Sequence, residues 1–264
     1  DGGAAWDFED IRDHYLAALY RVEPATLRRE DPGRWLALSR AATAEAVEAA
    51  FAAWRRPGAG CGGALAIALQ DTRPGAGWGV ITADGQPKPA WHALQRAARP
   101  VQLLLLDEGL NGLALHLLNE TAMPVDATLS LDCWRGGVSV ARGRRPVSIP
   151  PRGHLSFPGE AMFGDFFDAM HAWGFGPRQH EAVHARLDAA DAPAGTPPIA
   201  TATLFPAGRG LPCRDLGLTA LLEEDNALLV ATRAFAETIQ IEDEDGFLPA
   251  ENFFHLAPGA PLRI

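Results

Sequence analysis

Apolar residues fall at helical spacing in the first third of the chain and in short runs thereafter. Near the N-terminus, Phe8, Ile11, Tyr15, Leu19 and Val22 recur every three or four positions, the spacing of one helix face. Asp7 stands where an N-cap is needed, and Asp10 completes a capping box. Asp31-Pro32 marks a second start, a cap followed by proline in the first turn. From there Trp35, Leu38, Ala42, Ala46, Ala50 and Trp54 predict one apolar stripe to about Arg56, ended by Pro57-Gly58-Ala59-Gly60. Ala64–Leu69 is apolar without helical period and ends on Gln70-Asp71, which reads as a strand buried on both faces. Pro74, Gly75, Gly77, Gly79 and Asp84-Gly85 make the next stretch a structured loop. Pro87 and Pro89 then open a helix expected to bury Trp91, Leu94 and Ala98. One strand is not a sheet, because its ladder partners must come from elsewhere. Polar groups at the C-terminal end of such a strand are where barrel enzymes keep their sites.

From Val101 the pattern changes. Val101–Asp107, Leu113–Asn119, Ala127–Cys133, Gly137–Ala141, Val147–Pro150 and His154–Phe157 are strand-like runs separated by turn residues such as Asn111-Gly112 and Gly136-Gly137. Runs of this length at about ten-residue spacing predict an antiparallel sandwich. A short helix is expected within Ala161–Trp173, and Glu181–Asp188 and Ile199–Phe205 close the sandwich. Ala192–Pro198 reads as a loop and Ala207–Pro212 as a linker. Leu216–Leu222, Ala227–Arg233 and Glu237–Glu242 are again strand-like, followed by Gly246–Leu256. The expected organisation is 1–99, 100–208 and 209–264, the last short for a full sandwich of about 100 residues.

Composition narrows the function classes. The chain has 264 residues, 47% of them hydrophobic, enough for more than one core. A net charge of −10 disfavours nucleic acid and anionic membranes, and no nucleic-acid or membrane partner is expected. No run approaches the ~18 apolar residues of a membrane span. Cys61, Cys133 and Cys213 are few and far apart, which argues against a disulfide framework and favours a cytoplasmic over a periplasmic setting. Lys88 is the only lysine. The chain opens Asp-Gly-Gly-Ala-Ala-Trp, without Met or a signal peptide, and is expected to be a fragment of a longer protein.

Four segments in order carry a family likeness. Trp6-Asp7-Phe8-Glu9-Asp10-Ile11-Arg12-Asp13-His14-Tyr15 is similar to a W-D-x-x-D-x-R-D-H-Y segment. Gln70-Asp71, Pro74, Trp78-Gly79, Asp84-Gly85 and Pro87-Lys88-Pro89-Ala90-Trp91 through Ala97 follow a strand, S-W-G, D-x-x-G and P-K-P-A-W pattern. Asp107-Glu108-Gly109-Leu110-Asn111-Gly112-Leu113 and Gly246–Gly259 complete the set. The chain thus resembles the C-terminal portion of β-mannosidase-like enzymes of glycoside hydrolase family 2. That resemblance implies the last elements of a TIM (β/α)8 barrel over 1–99, mostly helical with one strand. It implies an immunoglobulin-like β-sandwich over 100–208 and a short C-terminal β module over 209–264. The family Trp-Gln of the strand is Ile67-Ala68 here, and the Trp before Pro74 is Arg73, so a sugar-stacking role there is not carried over.

A retaining glycosidase needs two carboxyl groups about 5–5.5 Å apart. In the family they lie on barrel strands that this sequence lacks, one in an N-E pair and one in an S-E-F-G-like strand end. Asn119-Glu120 is an N-E pair, but it ends a sandwich strand, so no catalytic residue is assigned. Gln70, Asp71 and Trp78 are the candidate substrate-binding residues: Asp71 either lines a sugar pocket or fixes the turn, and Trp78 is either a sugar platform or core. His14 reads as part of a polar network and His255 as a turn or interface residue. His180-Glu181-Ala182-Val183-His184 matches H-E-x-x-H, in which two histidines on one helix face bind zinc. Against that, no third ligand stands out, and Val183, Ala185 and Leu187 alternate as a strand would. The reading taken is the C-terminal part of a retaining β-glycosidase without its catalytic carboxylates, needing no cofactor. Its partners would be a carbohydrate, met through the parent enzyme, and the remaining barrel segment. The alternatives are a carbohydrate- or protein-binding β-sandwich accessory module and a zinc metallopeptidase using His180 and His184.

Overall fold

The computed structural model describes residues 7–75, 77–164, 167–170, 179–193, 196–206, 208–209, 214–242 and 248–264. Trp6, the Phe8 side chain, residues 165–166 and 171–173 of the expected short helix, Ala194-Gly195, Ala207, the linker residues 210–212, Cys213 and Gly246-Phe247 lie outside the described residues.

Four helices lead the chain: α1 (Phe8–Tyr20), α2 (Pro24–Glu30), α3 (Pro32–Arg55) and α4 (Pro89–Ala97). Asp7 caps α1 with the reciprocal Asp10 bond of a capping box, as the spacing predicts. The buried face differs from the expected stripe, because Leu16 and Tyr20 are enclosed while Ile11 and Tyr15 are exposed. Helix α2 was not legible: Glu23 caps it, and Asp31 both ends it and caps α3 through the Arg34 amide. In α3 the apolar stripe holds at Trp35 and Ala42, but Ala41 and Ala44 are also buried and Trp54 is exposed. In α4 the enclosed residues are His92 and Ala93, whereas Trp91 and Leu94 are half-buried and Ala98 is exposed. In α3 and α4 the buried face meets Phe253, which packs against Ala44 and Ala93, while Tyr20 of α1 packs against Ala41 and Ala42.

The strand expected at Ala64–Leu69 does not form. Leu65, Ile67 and Leu69 are 93%, 81% and 63% exposed, and among the described residues this segment has no strand neighbour on either side. Among the described residues only Ala68 and Leu69 are tied down, by bonds to Trp78, Val80 and Ile81, and the stretch before them has no ladder to hold it.

The rest is mostly β-sheet. Strands β1 (Val101–Asp107), β2 (Leu113–Asn119) and β5 (Gly153–Pro158) form an antiparallel sheet in the order β1-β2-β5. A second antiparallel sheet runs β4-β3-β6-β7, from β3 (Val125–Arg135), β4 (Val138–Ile149), β6 (Ala182–Ala189) and β7 (Ala200–Leu204). Alternate residues of each sheet meet in one core, Leu103, Leu105, Leu115 and Leu117 from the first and Leu129, Leu131, Val183, Ala185 and Leu187 from the second. This is a β-sandwich. Strand β1 is buried on both faces, because Gln102 and Leu104 turn towards the helices while Leu103 and Leu105 enter the core. That explains its unbroken apolar run.

Arg142–Arg145, between the predicted strands Gly137–Ala141 and Val147–Pro150, lies inside β4, which joins the two into one. The arginines find partners along the sheet: Arg142 on Asp132, Arg144 on the Ser130 hydroxyl, and Arg145 over the Phe157 ring. Pro146 is tolerated because β4 is an edge strand.

After the sandwich, β8 (Thr219–Leu222), β9 (Leu228–Ala231) and β12 (Leu262–Arg263) form a small sheet in the order β12-β9-β8, and β10 (Ala236–Ile239) pairs with β11 (Phe254–Leu256). Val230, Ala236, Ile239, Phe254 and Leu256 make their core. Trp134, Ala182, Phe235 and Ala257 pack this part onto the sandwich, and Gly137 comes so close that a Cβ there would sit 2.4 Å from the Arg233 carbonyl oxygen.

Candidate functional site

The loop between the exposed apolar segment and α4 is a hydrogen-bonded unit. Asp71 N–H donates to the Ile81 carbonyl at 2.9 Å, Ile81 N–H to that of Leu69 at 3.0 Å, and Lys88 N–H to that of Val80 at 2.9 Å. Gln70 makes a parallel bridge with Ile81, and Ile81 an antiparallel one with Pro87. Thr82 closes the Asp84-Gly85 turn, its amide donating to Gln86 and its hydroxyl to Asp84 and the Gln86 carbonyl.

Asp71 is the centre of this loop. Its carboxylate is 6% exposed, accepts the Gly79 N–H at 2.7 Å, and pairs with the ammonium of Lys88. The Lys88 bond, helped by Gly79, holds the carboxyl below the usual carboxylate range. Both neighbouring glycines are required by this packing. A Cβ on Gly77 would lie 2.4 Å from Asp71 Oδ1, and one on Gly79 would lie 2.4 Å from the Asp71 amide nitrogen. Asp71 is thus an ionised brace with both oxygens engaged, and it offers no proton for catalysis. Gln70 is exposed at the same end, its amide donating to Thr82 and Ala83 carbonyls. Trp78 is 66% exposed rather than core. Gln70 and Trp78, before and after Asp71 in the chain, are both exposed to solvent. Sequence reasoning named these three but missed Lys88 as the counter-ion; its standing as the only lysine of the chain was the available signal.

The histidine pair does not take the helical arrangement that the zinc motif requires. His184 sits on β6 and His180 just before it, so no helix brings them together. His180 Nε2 meets the Ala169 carbonyl at 2.7 Å and its ring lies by Phe167; His184 Nδ1 meets the Thr203 hydroxyl at 2.9 Å and its ring lies by Phe235. Burial pushes the His184 pKa down to about 4. Among the described residues no group of three His, Cys, Asp or Glu side chains could hold a metal ion. Asn119 is a structural corner: its amide donates to the Met123, Ile149 and Pro150 carbonyls while its oxygen accepts from Thr121. His255 accepts the Thr238 amide and stacks beside Phe205, with burial driving its pKa well below the usual value.

A buried charge network fastens the helices to the sheets behind this loop. Arg96 on α4 donates to Glu48 at 2.6 Å, to Glu251 and the Asn252 carbonyl at 2.7 Å each, and to the Phe253 carbonyl at 3.0 Å. Arg209 reaches Glu45 on α3 and Glu237 on β10, and its guanidinium lies 3.6 Å over the Phe205 ring. A cavity of about 380 Å³ opens between these groups.

Over 96% of its length the chain superposes on a β-mannosidase from Dictyoglomus thermophilum, with a TM-score of 0.71 at 17% identity. Its fold is that of a piece of a β-mannosidase. The exo-chitosanase CsxA of Amycolatopsis orientalis matches 87% of the chain at a TM-score of 0.59 and 12% identity. The chain spans 29% of the first enzyme and 31% of the second. At 17% and 12% identity, both likenesses are of fold. No family model matches the chain, and no curated protein matches it in sequence. No helix among the described residues is long and apolar enough to cross a membrane.

Proposed function

We propose that this chain is the C-terminal part of a β-mannosidase-like retaining glycoside hydrolase. Residues 1–99 close a TIM (β/α)8 barrel, 100–208 form an immunoglobulin-like sandwich, and 209–264 form a short β module behind it. The parent cleaves a β-linked sugar with two carboxylates that lie outside this chain. The chain alone is inactive, and its loop at Gln70–Trp78 forms one wall of the sugar pocket, shaped from within by Asp71 and Lys88.

The observation that carries this reading is the apolar segment Leu65, Ile67 and Leu69, 63–93% exposed and immediately followed by the braced loop. Apolar residues of strand length gain by burial, at about 25 cal/mol per Å² of area removed from water. Here they have nothing to bury against, as expected of a barrel strand separated from its neighbours. The superposition on a β-mannosidase over nearly the whole chain supports the same assignment.

Two measurements test it. Sequencing the coding region upstream of Asp1 should show barrel strands with an N-E pair and a second Glu at a strand end; a start codon or unrelated sequence there would sink the proposal. The chain alone should release no nitrophenol from p-nitrophenyl β-mannoside, and turnover would overturn the placement of both carboxylates elsewhere.

A further inference from the structure

We propose that Ser156, His116 and Glu108 act as nucleophile, base and orienting acid, and that the sandwich hydrolyses small carboxylic esters through Ser156. This activity is separate from glycoside cleavage, in which the chain alone is inactive, and does not rest on that reading.

The first sheet brings the three residues together. Leu115, Leu117, Leu155 and Phe157 face the core, so His116 on β2 and Ser156 on β5 share the opposite face. They stand directly across from each other in the register. At the two ends of the β1–β2 ladder, Glu120 N–H donates to the Pro100 carbonyl and Glu108 N–H to that of Gly112, each at 2.9 Å. Even-numbered residues of β2 therefore bond to β1, and odd-numbered ones to β5. His116 and Ser156 form a pair without ladder bonds, the kind in which Cα atoms lie about 4.5 Å apart and side chains meet. The Ser156 hydroxyl accordingly lies 2.8 Å from His116 Nδ1. Glu108, one residue beyond β1, puts its Oε1 3.9 Å from His116 Nε2, and Arg56 at the end of α3 holds that carboxylate at 2.8 Å.

Each group is in the state that its role needs. His116 Nε2 is enclosed and has no hydrogen-bond partner among the described residues. Without a proton there, its lone pair would face a carboxylate. Glu108 thus keeps the proton on Nε2 and leaves Nδ1 to accept the serine proton. Burial holds the His116 pKa below its ordinary value despite Glu108, so the ring is a neutral base at neutral pH. Ser156 is exposed, and its N–H points off the outer edge of β5, which ends its sheet.

The chemistry follows from these positions. Ser156 Oγ bonds to the ester carbonyl carbon as its proton passes to His116 Nδ1. The Ser156 N–H donates to the oxyanion, and the imidazolium closes on Glu108. The bond to the alcohol oxygen then breaks, and the alcohol leaves with the Nδ1 proton. Water repeats both steps on the acyl-serine, releasing the acid and restoring the hydroxyl. A single oxyanion donor suits esters with good leaving groups rather than amides.

The test treats the full chain with p-nitrophenyl acetate and with a fluorophosphonate. Peptide mass spectrometry should place the phosphonyl group on Ser156, and labelling should block nitrophenolate release. Ser156→Ala and His116→Gln should each lower the rate above buffer at least about tenfold, with unchanged circular dichroism. The ionisable groups facing His116 are Glu108, Arg56 and His154. The rate should fall on acidification as His116 takes a proton. Glu108→Gln should move that fall to lower pH, because the carboxylate raises the His116 pKa; a Glu108 that merely packs would leave it in place. Label on another residue or on none, or a rate indifferent to Ser156→Ala, would overturn the proposal.

Discussion

Replacing Arg96 with methionine tests what fastens the helices to the C-terminal sheets. Methionine keeps much of the aliphatic volume and removes the guanidinium. Glu48 then loses its counter-charge, Glu251 is left with Arg99 alone, and the carbonyls of Asn252 and Phe253 lose a donor. The Arg96 and Glu251 side chains are each 16% exposed, so water replaces little of what is lost. Removing one partner of a buried pair costs about 3–5 kcal/mol, because the remaining charge stays desolvated. For a chain of this size, 1 kcal/mol moves the thermal midpoint by roughly 2 °C, so the variant should melt about 6–10 °C lower. The pH dependence supplies a second arm. Burial already raises the Glu48 pKa, and without Arg96 its folded-state value rises further above the unfolded one. A carboxyl shifted upward favours the folded state at low pH and loses that contribution as pH rises through the folded value. The deficit of the variant should therefore shrink on acidification from pH 8 to pH 5. Scanning calorimetry and urea titration of both proteins at the two pH values measure it. A deficit under about 1 kcal/mol, or one that does not change with pH, would refute the claim that a buried charge network joins these parts.

Two further outcomes are expected. His184 is buried and neutral, with its pKa lowered from 6.5 to about 4, and burial lowers that of His255 as well. The unfolded chain binds these protons first, so stability is full above pH 6.5 and is lost as pH falls towards 4, by about 3 kcal/mol for His184 at about 1.4 kcal/mol per pH unit; a denaturation midpoint that does not fall over this interval, or falls equally in His184→Gln, would contradict it. Gly79→Ala should loosen the loop without unfolding the sandwich, since the new Cβ meets the Asp71 backbone at 2.4 Å; hydrogen exchange should quicken at Val80, Ile81 and Lys88 while Leu115 and Leu117 stay protected, and unchanged exchange at Val80 would count against the braced loop.

Much of this fold was legible because its signals are local. Val101–Asp107 and Leu113–Asn119 are strands over the residues that their apolar runs mark, with Asn111-Gly112 turning the chain between them. Asp7 and Asp31 cap their helices because a carboxylate beside free amide groups needs no distant partner. What was not legible depends on contacts remote in sequence. The buried faces of α3 and α4 are set partly by Phe253, far along the chain. The basic run at Arg142–Arg145 looks like a turn until Asp132 and Ser130 stand across the sheet from it. Ala64–Leu69 shows the reverse case: its pattern is that of a buried strand, but burial requires a neighbour. Of the candidate site, Gln70, Asp71 and Trp78 were visible as types in a turn-rich stretch, whereas the pairing of Asp71 with Lys88 needed the loop to fold back on itself.

Strand β1 has a consequence for anyone who would cut or recombine this chain. A boundary between Arg99 and Val101 looks natural, since helices stop and strands begin there. Yet Gln102 reaches back to the carbonyls of Arg96 and Arg99, and Arg55 bonds the Ala97 and Arg99 carbonyls from α3. The outer side of the first strand is the floor on which the helices stand. A chimera that grafts these helices onto another sandwich, or this sandwich behind another barrel, must carry that floor with it. The tie runs on past the strand, because Arg56 at the end of α3 pairs with Glu108 at 2.8 Å.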